Sequence, residues 1–280
     1  MASAEPRGPI GRLATYAVLA LVTVFALGPF VWMLSGSFKT QAELMQPGFG
    51  RLVPQRPTLA NYRFLFENVS FGGYLVNTVF VASAAALVTT LVSAMGGFAL
   101  AKYRFRGKRL VTLLVLGTML LPPVVLLAPL FRLVQALHLI DSFWGLILPG
   151  AASGFGVLIM RQYIMSVPGD LLDAGRIDGL SELRIFWSVV LPLIRPIVSA
   201  LLIFTFLGAW NAYLWPMIVL RDERNYLLTL AVTNVVASIH QQEYGVILGG
   251  TLISIAPIIV LFLALQREFI TGLTLGAVKQ

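Results

Sequence analysis

The residues able to do chemistry in this chain are few, and they gather in two places. The first is Pro168–Pro192, PGDLLDAGRIDGLSELRIFWSVVLP, where Asp170, Asp173, Arg176 and Asp178 are interleaved with Leu, Ile, Phe and Trp. Leu171, Leu172, Ala174 and Gly175 recur at spacings of three and four, so a helix here carries an apolar stripe with charged flanks. That pattern suits charge-assisted docking on another protein, not bond cleavage. Pro168 is preset for a helix start, Gly179 for the left-handed residue that ends it, and Ser181 for the cap of a second segment that Pro192 ends or kinks. The spacing predicts a helix-turn-helix too polar to cross a bilayer.

The second place is uncharged. Asn77, Thr78, Ser83 and Ser93 fall in apolar surroundings, as does WNAYLW, Trp210–Trp215, which brings Trp210, Asn211, Tyr213 and Trp215 together. Amides, hydroxyls and aromatic faces can receive a neutral polyhydroxylated solute without the burial cost of a charge. The same groups also join helices, and the aromatics also form interfacial belts, so both uses stay open.

Other chemistries are excluded by what the chain lacks. There is no cysteine, and His138 and His240 are too far apart for a zinc motif. A phosphate-binding GxxxxGK[ST] loop is absent. Gly107-Lys108 is followed by Arg109, and Lys102 stands where its first glycine belongs. Any ATP or magnesium is therefore expected on a partner, and this chain should hold no cofactor or metal and have no catalytic residue.

The elements that position these residues follow from hydropathy. The chain is 58% hydrophobic and 11% charged, the balance of an integral membrane protein. Apolar runs predict six spans at about 13–38, 73–101, 110–130, 142–160, 197–219 and 246–266, with bends near Gly28-Pro29 and Pro122-Pro123. Small residues from Gly150 to Gly156 predict a close helix approach. Six spans put both termini on one side. That side carries 13 of the 20 Lys and Arg, five of them in KYRFRGKR (Lys102–Arg109), while the acidic residues divide six and six. The excess marks the cytoplasmic side, so the +8 charge reflects orientation and not nucleic-acid binding. The expected organisation is a cytoplasmic N-terminus 1–12, a permease domain 13–266 and a cytoplasmic tail 267–280. A cytoplasmic loop 161–195 and an extracytoplasmic loop 39–72 lie within that domain.

The hairpin also carries a family resemblance. Asp173-Ala174-Gly175, then Gly179, Val189 and Leu191-Pro192 keep the spacing of the EAA signature of binding-protein-dependent ABC importer permeases, with Asp for Glu, Gly for Ala and Val for Ile. SFKTQAEL (Ser37–Leu44), PTLANYRFLF (Pro57–Phe66), YLVNT (Tyr74–Thr78), WNAYLWP and GLTLGAVK (Gly272–Lys279) stand in the order of the carbohydrate-uptake branch that resembles the MalG subunit of the maltose importer. The resemblance implies an all-α, six-span type I importer fold with a cytoplasmic coupling helix-turn-helix. It implies a permease subunit of a bacterial cytoplasmic membrane importer that moves a di- or oligosaccharide or related carbohydrate. The expected partners are a homologous second permease, two ATPase subunits and an extracytoplasmic solute-binding protein that meets loop 39–72. Asp173, Ala174, Gly175, Asp178, Gly179, Leu180, Leu191 and Pro192 would couple to the ATPase, with Leu171, Leu172, Leu180 and Leu183 in buried contact. Asn77, Trp210, Asn211, Tyr213 and Trp215 would line the solute path, and Gly272, Gly276 and Lys279 would reach the ATPase. An ion-coupled carrier acting alone is the competing class. The lack of charge deep in any span and the docking hairpin both weigh against it.

Overall fold

The computed structural model describes residues 9–46, 52–236 and 243–275, and every regular element among them is helical. The chain divides into two compact units, Met1–Val69 with Asn234–Ile255, and Ser70–Thr233 with Ala256–Gln280.

In the first unit, α1 (Pro9–Ser37) is a single helix that carries Pro29, the expected site of a bend, inside it. A short α2 (Gln41–Leu44) is capped by Thr40, and α3 (Ala60–Glu67) follows. The end of α1 is held by α3. Asn61 Nδ2 donates to the carbonyls of Ser37 (2.8 Å) and Lys39 (2.9 Å), and the Ser37 and Tyr62 hydroxyls bond at 2.6 Å. The Ser37 carbonyl is one that a helix end leaves without an internal partner. The last helix, Tyr244–Leu275, opens in this unit, with Gly245 against Asn61 and Gly249 against Leu65 and Tyr62. It runs well past the expected end at 266, so much of the anticipated tail is helical.

The second unit is built on α4 (Phe71–Lys102), an unbroken 32-residue helix. Next come α5 (Lys108–Leu120) and α6 (Pro123–Ala136), which meet at 102°. The expected single span 110–130 is therefore a broken pair. Leu121 and Pro122 are extended because residues preceding proline avoid the helical region, and Pro123 restarts the helix from its first turn. α7 (Phe143–Gly150) and α8 (Gly154–Met165) are bent by 46°, with Ser153 capping α8 through the Gly156 N–H at 3.1 Å. α8 passes the expected boundary at 160 and ends only at Met165, with Ser166 as its C-cap. The hairpin helices α9 (Gly169–Ile177) and α10 (Glu182–Leu193) precede α11 (Arg195–Trp210), which α10 meets at 85°. The expected span 197–219 is interrupted at Asn211–Tyr213 before α12 (Leu214–Val219), and α13 (Leu228–Ala231) follows a loop.

Within this unit α4 packs along α8 and α11. Apolar helices gain little from leaving lipid for one another, so close packing must hold them. Glycine supplies it. A Cβ on Gly97 would lie 2.6 Å from Met160 Cβ and 2.7 Å from the Arg161 nitrogen, and one on Gly156 would lie 2.3 Å from Ser93 Oγ. The close approach expected from the small residues of 150–156 is thus made at Gly156 on α8, with Gly97 as its counterpart on α4. The core below this contact joins Ala94 and Phe98 of α4, Met160 and Ile164 of α8, Leu172, Ile185, Phe186 and Val190 of the hairpin, and Ile197 and Leu201 of α11.

Candidate functional site

The hairpin forms as its local chemistry dictates. Asp178 ends α9, and Gly179 adopts φ +76°, the conformation that costs glycine least. The Leu180 N–H then bonds the Gly175 carbonyl (2.9 Å) and the Gly179 N–H bonds that of Arg176 (3.1 Å), which is the Schellman pattern. Ser181 caps α10 through the Arg184 N–H at 3.4 Å. Gly175 lets the two helices close, since a Cβ there would sit 3.2 Å from Ile185 Cγ1 and 3.5 Å from Leu180 Cδ1. A π-turn at Phe186–Val190 lies inside α10 and directs Phe186 and Val190 inward, where Phe186 meets Phe98 with ring centroids 5.6 Å apart.

Charge ties the two limbs together. Arg176 donates from Nη1 to Asp173 Oδ1 (2.6 Å), from Nε to Glu182 Oε1 (2.7 Å) and from Nη2 to Glu182 Oε2 (3.3 Å). The Tyr103 hydroxyl donates to Glu182 Oε2 at 2.5 Å, and the Lys102 ammonium donates to the Val167 carbonyl. The end of α4 therefore grips the hairpin at both its root and its second limb. Arg176 first and Tyr103 second hold the Glu182 carboxyl below the ordinary glutamate range. Burial, followed by the bond to Glu182, pushes the Tyr103 phenol up to about 12. The paired carboxylates raise the Arg176 guanidinium further above its ordinary value.

The outer surface of the hairpin differs from the sequence expectation. Leu172 is 2% exposed and belongs to the chain's own core, so it is not a contact for a partner; Leu180 is half-buried against that core. Leu171 and Leu183 are exposed, and Ile177, which the sequence reading passed over, is 86% exposed at the tip. Asp173, Ala174, Asp178, Gly179 and Pro192 are exposed, Gly175 is buried and Leu191 is half-buried. Glu182 and Tyr103 were also missed. They are 79 residues apart, and only the fold makes them neighbours.

The five neutral candidates do not converge on one lining. Asn77 Nδ2 donates to the carbonyls of Arg224 (2.9 Å) and Tyr226 (3.2 Å), and Thr78 Oγ1 accepts the Leu228 N–H at 2.7 Å. This adjacent pair on α4 pins the 224–228 loop. Trp210 is 1% exposed and stacks on Phe206 at 5.5 Å. Trp215 Nε1 donates to the Gly145 carbonyl at 3.1 Å, and Tyr213 is half-buried against the cluster of Val81, Ile147, Leu220, Leu227 and Leu230. Asn211 is exposed at the break between α11 and α12, and its amide caps the Leu207 carbonyl at 2.9 Å. Nearby, Asp141 Oδ1 accepts the N–H groups of Arg221 (3.0 Å) and Asp222 (3.2 Å). Burial pushes this carboxyl up, yet the two backbone donors and Asn225 outweigh it and leave it below the ordinary range. Gly272 lies in the final helix, while Gly276, Lys279 and His240 fall outside the described residues.

Residues 93–268 match the family described as "Binding-protein-dependent transport system inner membrane component". Across 277 residues the chain is 35% identical to the arabinooligosaccharides transport system permease protein AraQ of Bacillus subtilis (strain 168), covering 98% of each chain. It is 32% identical to the lactose transport system permease protein LacG of Rhizobium radiobacter, over 95% of this chain and 96% of that one. It is 33% identical to the trehalose transport system permease protein SugB of Mycobacterium tuberculosis (strain CDC 1551 / Oshkosh), over 96% and 98%. Its fold matches a chain of a bacterial ABC transporter involved in the import of the acidic polysaccharide alginate, with a TM-score of 0.82 and 24% identity over 94% of this chain and 99% of that one. With its helices, its hairpin and these likenesses taken together, the chain belongs to the binding-protein-dependent transport system inner membrane components, the permeases of ABC importers.

Proposed function

We propose that this chain is the permease subunit of an ATP-driven importer for a neutral di- or oligosaccharide, and that the α9–α10 hairpin couples it to a separate ATPase. The hairpin is the observation that carries the reading. Its apolar outer residues Leu171, Ile177 and Leu183 are exposed, while its inner face and the Arg176 bridges fix its shape. A surface that is rigid, apolar and flanked by Asp173 and Asp178 suits an anchor that enters a pocket on a partner. The ATP and magnesium sites belong to that ATPase, present as two subunits, and a homologous second permease completes the pathway. An extracytoplasmic solute-binding protein delivers the sugar at the 39–72 side. The cytoplasmic face carries the hairpin and both termini, in the bacterial cytoplasmic membrane, as the bias of Lys and Arg indicates.

The carbohydrate assignment draws on the relatives, whose names specify arabinooligosaccharides, lactose and trehalose. It also draws on α4 to α8, α11 and α12, none of which contains a carboxylate. Of the neutral candidates, Asn211 and Tyr213 at the break in the fifth span are best placed to meet the solute. Gentle purification of the tagged chain tests the whole reading. Recovery with a P-loop ATPase and a second six-span chain is expected. Recovery of this chain alone, transporting under an ion gradient, would establish a secondary carrier instead.

A further inference from the structure

A cluster of cations outside the Arg176 ion pairs lies where α5 begins. Lys108, Arg109, Thr112 and Leu113 of α5 and Arg161 of α8 line an open cleft of about 450 Å³. Arg161 is half-buried, and its Nε is buried without a hydrogen-bond partner, an uncommon state for a buried donor. No ion pair among the described residues engages Lys108, Arg109 or Arg161. Lys108 spends one donor on the Tyr103 carbonyl at 2.9 Å and keeps two, while the Thr112 hydroxyl donates back to the Lys108 carbonyl at 2.9 Å. α5 opens from Gly107 at φ +84° with no side chain capping its first turn, so the positive end of its dipole adds to the field. Three cations, a buried donor without an acceptor and an uncapped helix start all call for an anion.

The surroundings specify what kind. Directly along α5 from the cleft, Leu110, Val111, Leu113 and Leu114 are exposed. An occupant must therefore be anionic at one end and apolar along the rest. We propose that this cleft binds the phosphate headgroup of an anionic glycerophospholipid, with its acyl chains lying along the exposed face of α5. Basic pockets between membrane helices on the cytoplasmic side recognise headgroups in this way, each cation near the surface strengthening the attraction. The assignment rests on the membrane reading above and is independent of the solute.

The test is native mass spectrometry of the delipidated, detergent-purified importer titrated with phosphatidylglycerol, with phosphatidylcholine or with inorganic phosphate. Phosphatidylglycerol should be retained over phosphatidylcholine, and Arg109→Gln or Lys108→Gln should each weaken its retention about fivefold. Arg161→Gln should weaken it at least as much, whereas Arg132→Gln on α6, equal in charge change, should not. Lys108 and Arg109 stand at the rim, so their variants decide the matter even where Arg161→Gln fails to fold. Equal retention of the two lipids, or unchanged retention in the rim variants, overturns the proposal. Displacement of the lipid by millimolar inorganic phosphate also overturns it, by assigning the cleft to a soluble anion. The ATPase and second permease in the same sample report the importer reading separately, so either conclusion can fail without the other.

Discussion

Substitution at Gly179 isolates the geometry of the hairpin tip. A Cβ added there meets nothing within 4 Å, so no packing is lost and the whole cost is conformational. At φ +76° that cost is about 1–2 kcal/mol for an ordinary L-residue and smaller for Asn or Asp. Spread over the Schellman bonds from Leu180 to Gly175 and from Gly179 to Arg176, it corresponds to a roughly 5–30-fold rise in the open population of the turn. Amide exchange at Leu180, followed by mass spectrometry in the purified importer, reads that population. Gly179→Ala should accelerate exchange by this factor and lower solute-stimulated ATP hydrolysis, and Gly179→Asn should leave both close to native. Gly179→Asp separates docking from folding, because it tolerates the backbone and adds a charge to an exposed tip beside Ile177. It should abolish uptake and ATPase coupling while membrane insertion persists. Native exchange at Leu180 in Gly179→Ala would refute the account of the turn, and native uptake in Gly179→Asp would refute the assignment of the tip as the docking surface.

Three further outcomes are expected. Gly97→Val should force α4 away from the α8 backbone at Met160 and Arg161, lowering stability by about 1–3 kcal/mol in a detergent melt. Gly96→Ala, which meets only the movable Val157 side chain at 3.3 Å, should be milder in the same assay. Thr78→Val strips the buried Leu228 N–H of its acceptor and should cost about 1–3 kcal/mol, with Thr78→Ser restoring the native melting temperature. The Glu182 carboxyl is depressed by Arg176 and then by Tyr103, so its contribution to stability is full above the ordinary glutamate pKa and is lost as pH falls through the lower folded value. Protection of the hairpin amides, meaning exchange relative to its intrinsic rate at each pH, should therefore be flat from neutral pH down to the ordinary glutamate range and fall below it, and Glu182→Gln should remove that acid limb.

The parts legible in the sequence were those governed by local rules. Pro168, Gly179 and Ser181 each act on their own few residues, so the helix-turn-helix and its turn could be read directly. The helix around Pro122-Pro123 had to break, because proline disturbs the residue before it. The angle of 102° did not follow, since long-range packing sets it. Hydropathy placed the end of the fourth span at Met160, where charge begins. The helix continues to Met165 because backbone bonding does not stop at the edge of an apolar run. Periodicity identified the apolar stripe of α9 but could not say that Leu172 faces its own core while Ile177 faces outward. Asn77 was legible as a polar group in an apolar helix. Its role in holding a loop 147 residues away was not.

The right angle at Ile194 has a mechanical consequence. α10 spans 12 residues, about 18 Å at 1.5 Å per residue, and stands 85° from α11. Ile194, fully buried between them, fixes the elbow. Force applied at the tip therefore acts as torque on α11 and not as a push along its axis. A tilt of α11 by about 10° carries the tip through roughly 3 Å, given that arm length. A displacement no larger than one residue of extended chain is thus enough, at this elbow, to reorient an entire membrane helix.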